Sequence, residues 1–284
     1  MKIFRWQYNL FILPALLVMV IFFVYPILLT LYFSFLDYSI IRHTNKFVGL
    51  ANYIKIFKSN IFIQTAYNTF IWVIISTFIP LFLAKLAALL TYKSFLGYKV
   101  FRSPFSLPMI FIPSSTAILW ALMYSEPFGL INHIMEFLRL PREIWLANPK
   151  TVLPAVSIAN AWYGTPMSYL MILAGLESLD TEPLEASEVD GATYWQKVRH
   201  IIFPMVYTII LLVALLRLID VIRSFSLIWI MTQGGPGTSS TTLPVATFKV
   251  SFLQYDYGMG SAWGVINVIV TFVITLLILR RQKG

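Results

Sequence analysis

The sequence contains no cysteine. Disulfide scaffolds, thiol nucleophiles and Cys-ligated zinc or iron–sulfur centres are therefore outside its chemistry. Charge is scarce as well: Asp, Glu, Lys and Arg make up 12% of the 284 residues, against roughly 25% in an ordinary globular domain. Acids are the rarer sign, 12 against 21 Lys and Arg. The cations behind the net charge of +9 are scattered over connecting segments and termini, so they form no nucleic-acid footprint. His43, His133 and His200 lie far apart in sequence and share no metal-ligand spacing. No Gly-Lys dipeptide occurs, which removes the P-loop; H-E-x-x-H and G-x-S-x-G are missing too. The chain is expected to be no enzyme and to hold no cofactor or metal of its own.

What it has in abundance is apolar sequence, 58% of all residues. Long uncharged runs occupy 6–36, 59–84, 103–125, 151–176, 201–216 and 257–279. Crossing a hydrocarbon core of about 30 Å takes about 20 helical residues. The fifth run is interrupted by Arg217, Asp220 and Arg223, but apolar sequence resumes from Phe225 to Met231; it reads as one span carrying charge inside the membrane. The first run is too long for a signal-peptide core and shows no small-residue cleavage site. The expectation is an all-α membrane protein of six transmembrane helices, one transmembrane domain over residues 1–284. Both ends then share a side. Arg280, Arg281 and Lys283 favour the cytoplasm, whereas Arg42, Lys46, Lys55 and Lys58 in the first opposite loop outnumber Lys2 and Arg5.

Between the fourth and fifth spans lies the most charged segment, residues 177–200. Glu177, Asp180, Glu182, Glu185, Glu188 and Asp190 precede Lys197 and Arg199. Asp180 or Thr181 can cap a helix with Pro183 in its first turn, where acids meet the positive end of the dipole. Asp190-Gly191 supplies a break, since Gly adopts the left-handed conformation cheaply. A second short helix, 192–199, is expected to lead into the fifth span. Helix, Gly, helix is a firm shape for docking; an amphipathic hairpin with no partner is the alternative.

Three segments carry a resemblance. Glu185-Ala186-Ser187, three residues, Gly191, nine residues and Ile201-Ile202-Phe203-Pro204 resemble the E-A-A-x3-G-x9-I-x-L-P signature of the membrane subunits of binding-protein-dependent ABC importers. Ser187 and Phe203 depart mildly from it. Thr232-Gln233-Gly234-Gly235-Pro236-Gly237 resembles the T-x-G-G-P loop of carbohydrate-type permeases. Asn160-x-Trp162-x-Gly164-x-Pro166 is similar to span four of maltose-type subunits. The segments agree in order and spacing along essentially the whole chain.

The resemblance implies a coupling helix at Glu185, Ala186, Ser187, Asp190 and Gly191, cytoplasmic and seated in a cleft of a separate ATP-hydrolysing subunit. It also implies a multi-pass protein of the cell (inner) membrane with both termini cytoplasmic, and alternating access powered by ATP and Mg bound in that partner. Two ATP-binding subunits, a second permease and an extracytoplasmic solute-binding protein are the implied partners, besides membrane lipid. Maltose-type relatives place sugar-contacting residues at the positions of Asn160, Tyr163, Gly164 and Met167, and of Arg217, Asp220, Val221 and Ser224. The cargo implied is a sugar or oligosaccharide.

The residues themselves support part of that list. Arg217, Asp220, Val221 and Ser224 follow i, i+3, i+4, i+7 spacing and share one helix face. A charge at mid-membrane costs about 2.5–3.5 kcal/mol on insertion scales, so it faces a polar cavity or a partner. The relatives carry no charge at positions 217 and 220. Either these two residues line a cavity for a hydroxyl-rich or anionic solute, with an acidic sugar or glycerol phosphate as options, or they pair only to stabilise packing. Arg223 lies on another face and snorkels. Trp120, Tyr124, Trp145 and Trp162 read as packing or interface belt, and Gly260 with Gly264 as a close helix-packing face. An ion-coupled secondary transporter is the remaining class; Asp220 is the one mid-membrane carboxylate it could use.

Overall fold

The computed structural model describes residues 5–92 and 98–282; Lys2 and Lys283, used above for orientation, lie outside them. The chain starts with α1 (Arg5–Met19), a π-helical turn (Val20–Val24) and α2 (Tyr25–Ser34). Strands β1 (Leu36–Ser39) and β2 (Thr44–Phe47) precede α3 (Ala51–Lys58) and α4 (Asn60–Thr91). Next come α5 (Tyr98–Ser106), a 3-10 turn (Leu107–Ile110), α6 (Pro113–Met123), α7 (Leu130–Phe137) and α8 (Val152–Glu177). Then follow α9 (Glu182–Val189), α10 (Tyr194–Lys197), a π-helical turn (Val198–Ile202), α11 (Phe203–Arg223) and α12 (Ser226–Thr232). Helix α13 (Leu243–Phe248), a π-helical turn (Lys249–Leu253) and α14 (Tyr257–Gln282) finish the chain.

Among the described residues four helical stretches are long and apolar enough to cross a membrane: Ile12–Ser34, Asn60–Thr91, Tyr194–Arg223 and Tyr257–Arg280. A fifth candidate is bent: Arg102–Ile110 and Pro113–Met123 meet at 107°. The straight third span expected from composition is thus corrected. Pro108 and Pro113 each remove a backbone donor, and the chain turns extended at Phe111 and Ile112. Helix α8 has the length, 26 residues, but carries Ser157, Asn160, Thr165 and Ser168, all buried. It is the most enclosed long helix, and such groups are tolerated because protein partners satisfy them. Two π-helical turns, Val20–Val24 and Val198–Ile202, end two residues before Pro26 and Pro204. Each lets the helix continue past a residue that cannot donate.

The fifth span is not continuous. Ser224 has ψ 122° and ends α11, and the resumed apolar run forms the separate helix α12. The expectation of an all-α chain is corrected by the antiparallel β1–β2 pair, with Leu36 opposite Phe47 and Ser39 opposite Thr44. Strand β1 alternates apolar with polar residues, and the segment is too short to bury a helical face.

The chain divides into two compact units, Met1–Ile63 with Ala246–Val270, and Gln64–Val245 with Thr271–Gly284. In the first, the β1–β2 turn is tied down by Arg42, whose Nη2 reaches Asp37 at 2.9 Å and Asp256 at 2.6 Å. Asn52 donates to Ser34 O and Leu36 O. Gly260 packs on Ser251, where a Cβ would collide with backbone and side chain, so the small-residue face serves a contact inside this unit.

The second unit holds two apolar cores. One gathers Trp72, Ala117, Trp120, Tyr124, Val156, Val221 and Ile228; the other gathers Ala84, Ala88, Tyr169, Ile172, Val206 and Val213. Both draw on α4, α8 and α11. Between them, on all three helices, sit Ser76, Asn160, Gly164 and Arg217, a polar waist. Trp120, Tyr124, Trp145 and Trp162 belong to or pack on the first core, with successive ring centroids 5.5–6.0 Å apart.

Candidate functional site

The acidic segment folds as its residues suggest. Helix α9 starts after Thr181 with Pro183 in its first turn; Glu182 and Glu185 occupy that turn. No capping bond comes from the Thr181 side chain. Asp190 ends the helix and Gly191 follows at φ +75°, with open space around it. Gly191 N donates to Glu188 O and Ala192 N to Ser187 O, closing the turn. Thr193 and Gln196 then form a reciprocal cap that starts α10 at Tyr194, two residues later than expected, because the cap needs Thr193 extended. Glu185, Ala186, Asp190 and Gly191 are exposed, whereas Ser187 is buried and its Oγ donates to Leu184 O at 2.7 Å. Val189 and Trp195 are 88% and 73% exposed, which adds two large apolar groups to the same outward segment. Sequence reasoning overlooked this pair; their apolar character within a charged stretch was the available signal. Lys197 Nζ meets Glu188 Oε1 at 2.8 Å and ties the two short helices together.

Two cavities flank the polar waist. The first, about 440 Å³, is lined by Met109, Tyr163, Met167, Met171, Arg217 and Asp220 among others. The second, about 400 Å³, is lined by Asn160, Tyr163, Asp220, Arg223, Ser224 and Ser226 with apolar neighbours. Tyr163 and Asp220 belong to both. The bend between α5 and α6 contributes Met109 to one and Pro113 to the other.

Of the eight residues expected along a substrate pathway, Asn160, Tyr163, Met167, Asp220 and Ser224 come together here with side chains at a cavity wall. Met167 is 55% exposed and Asp220 65%. Ser224 arrives from the end of α11, beyond its last helical turn, so the four-residue helix face is corrected to three residues plus a turn. Val221 is fully buried in the first core, and its carbonyl accepts the Trp72 indole N–H at 3.0 Å. Gly164 lies against the Arg217 guanidinium. Arg217 is itself 6% exposed and pairs with Asp220 at 2.9 Å. Arg223, expected on another face, shares the second cavity with Asp220 three residues before it. Met109, Met171 and Pro113 were not foreseen; the prolines inside an uncharged run were the signal for that bend.

The loop Thr232–Gly237 begins with Gln233 and Gly234 at positive φ, and its Gly235-Pro236 bond is cis. Asn68 Nδ2 holds it from α4 by donating to Thr238 O and Thr241 O at 2.7 and 3.0 Å. Thr241 Oγ1 donates to Gly234 O. The loop is therefore a fixed part of the second unit, close-packed and polar.

Comparison with known proteins agrees with this fold. The family described as binding-protein-dependent transport system inner membrane component matches residues 2–283. The trehalose/maltose transport system permease protein MalF of Thermococcus litoralis is 30% identical over 271 residues, 95% of this chain and 92% of that one. The sulfoquinovosyl glycerol transport system permease protein SmoG of Agrobacterium fabrum is 30% identical, over 95% of this chain and 88% of that one. A chain of a bacterial ABC transporter involved in import of the acidic polysaccharide alginate has the same fold. Its TM-score is 0.85 at 23% identity, covering 98% of this chain and 95% of that one.

Proposed function

The chain belongs to the binding-protein-dependent transport system inner membrane components, and from that premise we propose that it is the membrane-spanning subunit of an ABC importer for a saccharide. Six spans make up one permease domain over residues 1–284, with α8 as the fourth, the bent α5–α6 pair as the third and α11 as the fifth. Both termini lie in the cytoplasm. Segment 177–200 is the coupling loop, and the observation that carries the reading is its outward face. Glu185, Ala186, Asp190 and Gly191 are exposed on a short helix stopped by a glycine turn, a shape that fits a cleft in a separate ATPase. Glu185 and Asp190 offer charge that fixes register at such an interface more than it adds affinity. Ser187 is buried and bonds back within its own helix.

A related second permease completes the translocation path, two ATP-binding subunits bind Mg and ATP, and an extracytoplasmic binding protein delivers cargo. Closure of the ATPases rocks the permease pair between inward- and outward-facing states. Moving such an equilibrium from one extreme to the other takes about 5.5 kcal/mol of differential binding, which ATP and the loaded binding protein supply. The chain's own contribution to cargo is the pair of cavities around Tyr163 and Asp220. Their hydrogen-bonding groups, Asn160, Tyr163, Asp220 and Ser224, suit the hydroxyls of a neutral saccharide. An acidic saccharide is the second reading, favoured by Arg223 at the wall of the second cavity.

The test is uptake by the assembled complex in proteoliposomes, with its binding protein outside and ATP inside. Labelled maltose, trehalose and alginate oligosaccharides serve as the panel. ATP-dependent accumulation of a panel member is the expected result. Accumulation driven by an ion gradient without ATP would overturn the reading in favour of a secondary transporter.

A further inference from the structure

Three features on three different helices converge on one guanidinium. Pro80 lies inside α4 and has no N–H, so the carbonyl four residues earlier, Ser76 O, loses its intrahelical donor. Arg217 Nε from α11 donates to that carbonyl at 3.2 Å. On α8, Gly164 leaves a recess that the guanidinium fills; a Cβ there would overlap Cζ and both terminal nitrogens. From the same helix, Asn160 accepts twice from Nη2, through its backbone oxygen at 3.0 Å and its side-chain Oδ1. Nη1 donates to Asp220 Oδ2 at 2.9 Å. Every guanidinium nitrogen is thus engaged inside the protein, and only 6% of the side chain is exposed, against 65% for Asp220.

We propose that Arg217 is a positioning residue that does not meet the cargo. It locks α4, α8 and α11 together between the two apolar cores and sets the orientation of the Asn160 amide and the Asp220 carboxylate. Asp220 is then the charge the cargo meets at the waist. Four of the five guanidinium N–H groups are bonded inside the protein, which leaves little for an anion, while a partly exposed carboxylate accepts hydroxyl protons well. The clamp also explains residue choices that carry no chemistry of their own: Pro80 frees the acceptor and Gly164 makes the space. This inference rests on the proposed function for the identity of the cargo, but not for the clamp.

The test uses the purified importer complex carrying Gly164→Ala, Arg217→Ala, both together, or Arg217→Lys. Gly164→Ala is expected to lower Tm by about 5 °C, because the added methyl evicts the guanidinium. In the Arg217→Ala background the same methyl meets an empty recess, so the double variant melts within about 1 °C of Arg217→Ala alone. Lysine keeps the charge but offers no planar fork for three helices. Arg217→Lys is therefore expected to raise the half-saturating concentration about tenfold at little-changed maximal rate. That uptake uses whichever of maltose, trehalose or alginate trisaccharide the complex accumulates. Additive losses from Gly164→Ala and Arg217→Ala would overturn the clamp, as would full rescue by lysine in both Tm and half-saturation. Failure to accumulate any of the three sugars would count against the saccharide reading, while the melting cycle still decides the clamp.

Discussion

Between Glu182 and Gly191 the acids point outward, and little inside the protein depends on them; at Arg217 a single cation points inward and three helices depend on it. Exposed carboxylates keep their hydration, so the α9 segment can hold Glu182, Glu185 and Asp190 at little cost and present them to another surface. A buried guanidinium enjoys no such freedom. It is retained because Ser76, Asn160 and Asp220 together take up four of its five donors, since an unpartnered buried charge costs several kcal/mol. The same kind of residue therefore does different work in the two places. One region displays charge on its surface, and the other uses it as a bolt whose exposed end is a carboxylate.

Substitutions can break or sharpen that contrast. The largest effect is expected from Arg217→Met, which leaves Ser76 O and the Asn160 amide without their buried donor; a loss of about 2–5 kcal/mol would be read as a large fall in Tm of a complex that still assembles. Glu185→Ala, an equally blunt removal of charge, should leave the permease itself within about 0.5 kcal/mol of the parent. Equal losses from the two would erase the contrast. Next comes Gly191→Val. A β-branched residue at φ +75° costs about 1–2 kcal/mol locally and should reshape the turn, so ATPase activity no longer responds to the loaded binding protein while the permease stays folded. The smallest effect belongs to Glu188→Gln. Its pair with Lys197 is half exposed on the Glu side, worth about 1 kcal/mol or less, and the loss should shrink further in high salt.

What could be read from the residues alone divides along the same line. Helix α9, its proline start and the glycine turn were legible because their signals are local, Pro183 and Asp190-Gly191 within ten residues, although the expected side-chain cap does not form. The apolar runs announced most spans for the same reason. The break at Ser224 and the β1–β2 pair were not legible, because apolar composition does not report where a helix turns; the bend between Ile110 and Pro113 left only its prolines as a signal. The waist was half legible. Spacing put Arg217 and Asp220 on one face, but the partners that bury Arg217 come from residues more than 50 positions away on α4 and α8. Pro80 looks unremarkable, and Gly164 only a pathway position, until the carbonyl one frees and the recess the other leaves are seen around the same side chain. The remaining pathway residues inherited their expectation from the family resemblance rather than from their own spacing. Val221 shows the consequence, since its side chain is sealed in the core.

The measurement that bears most directly on the whole account is purification of the tagged chain from its native membrane, with identification of what accompanies it. The experiment is run in parallel with Glu185→Ala. The account predicts that an ATPase and a second permease co-purify with the parent chain, and that the variant keeps the second permease while the ATPase is weakened or lost. A chain that emerges alone or only as a homo-oligomer would contradict it.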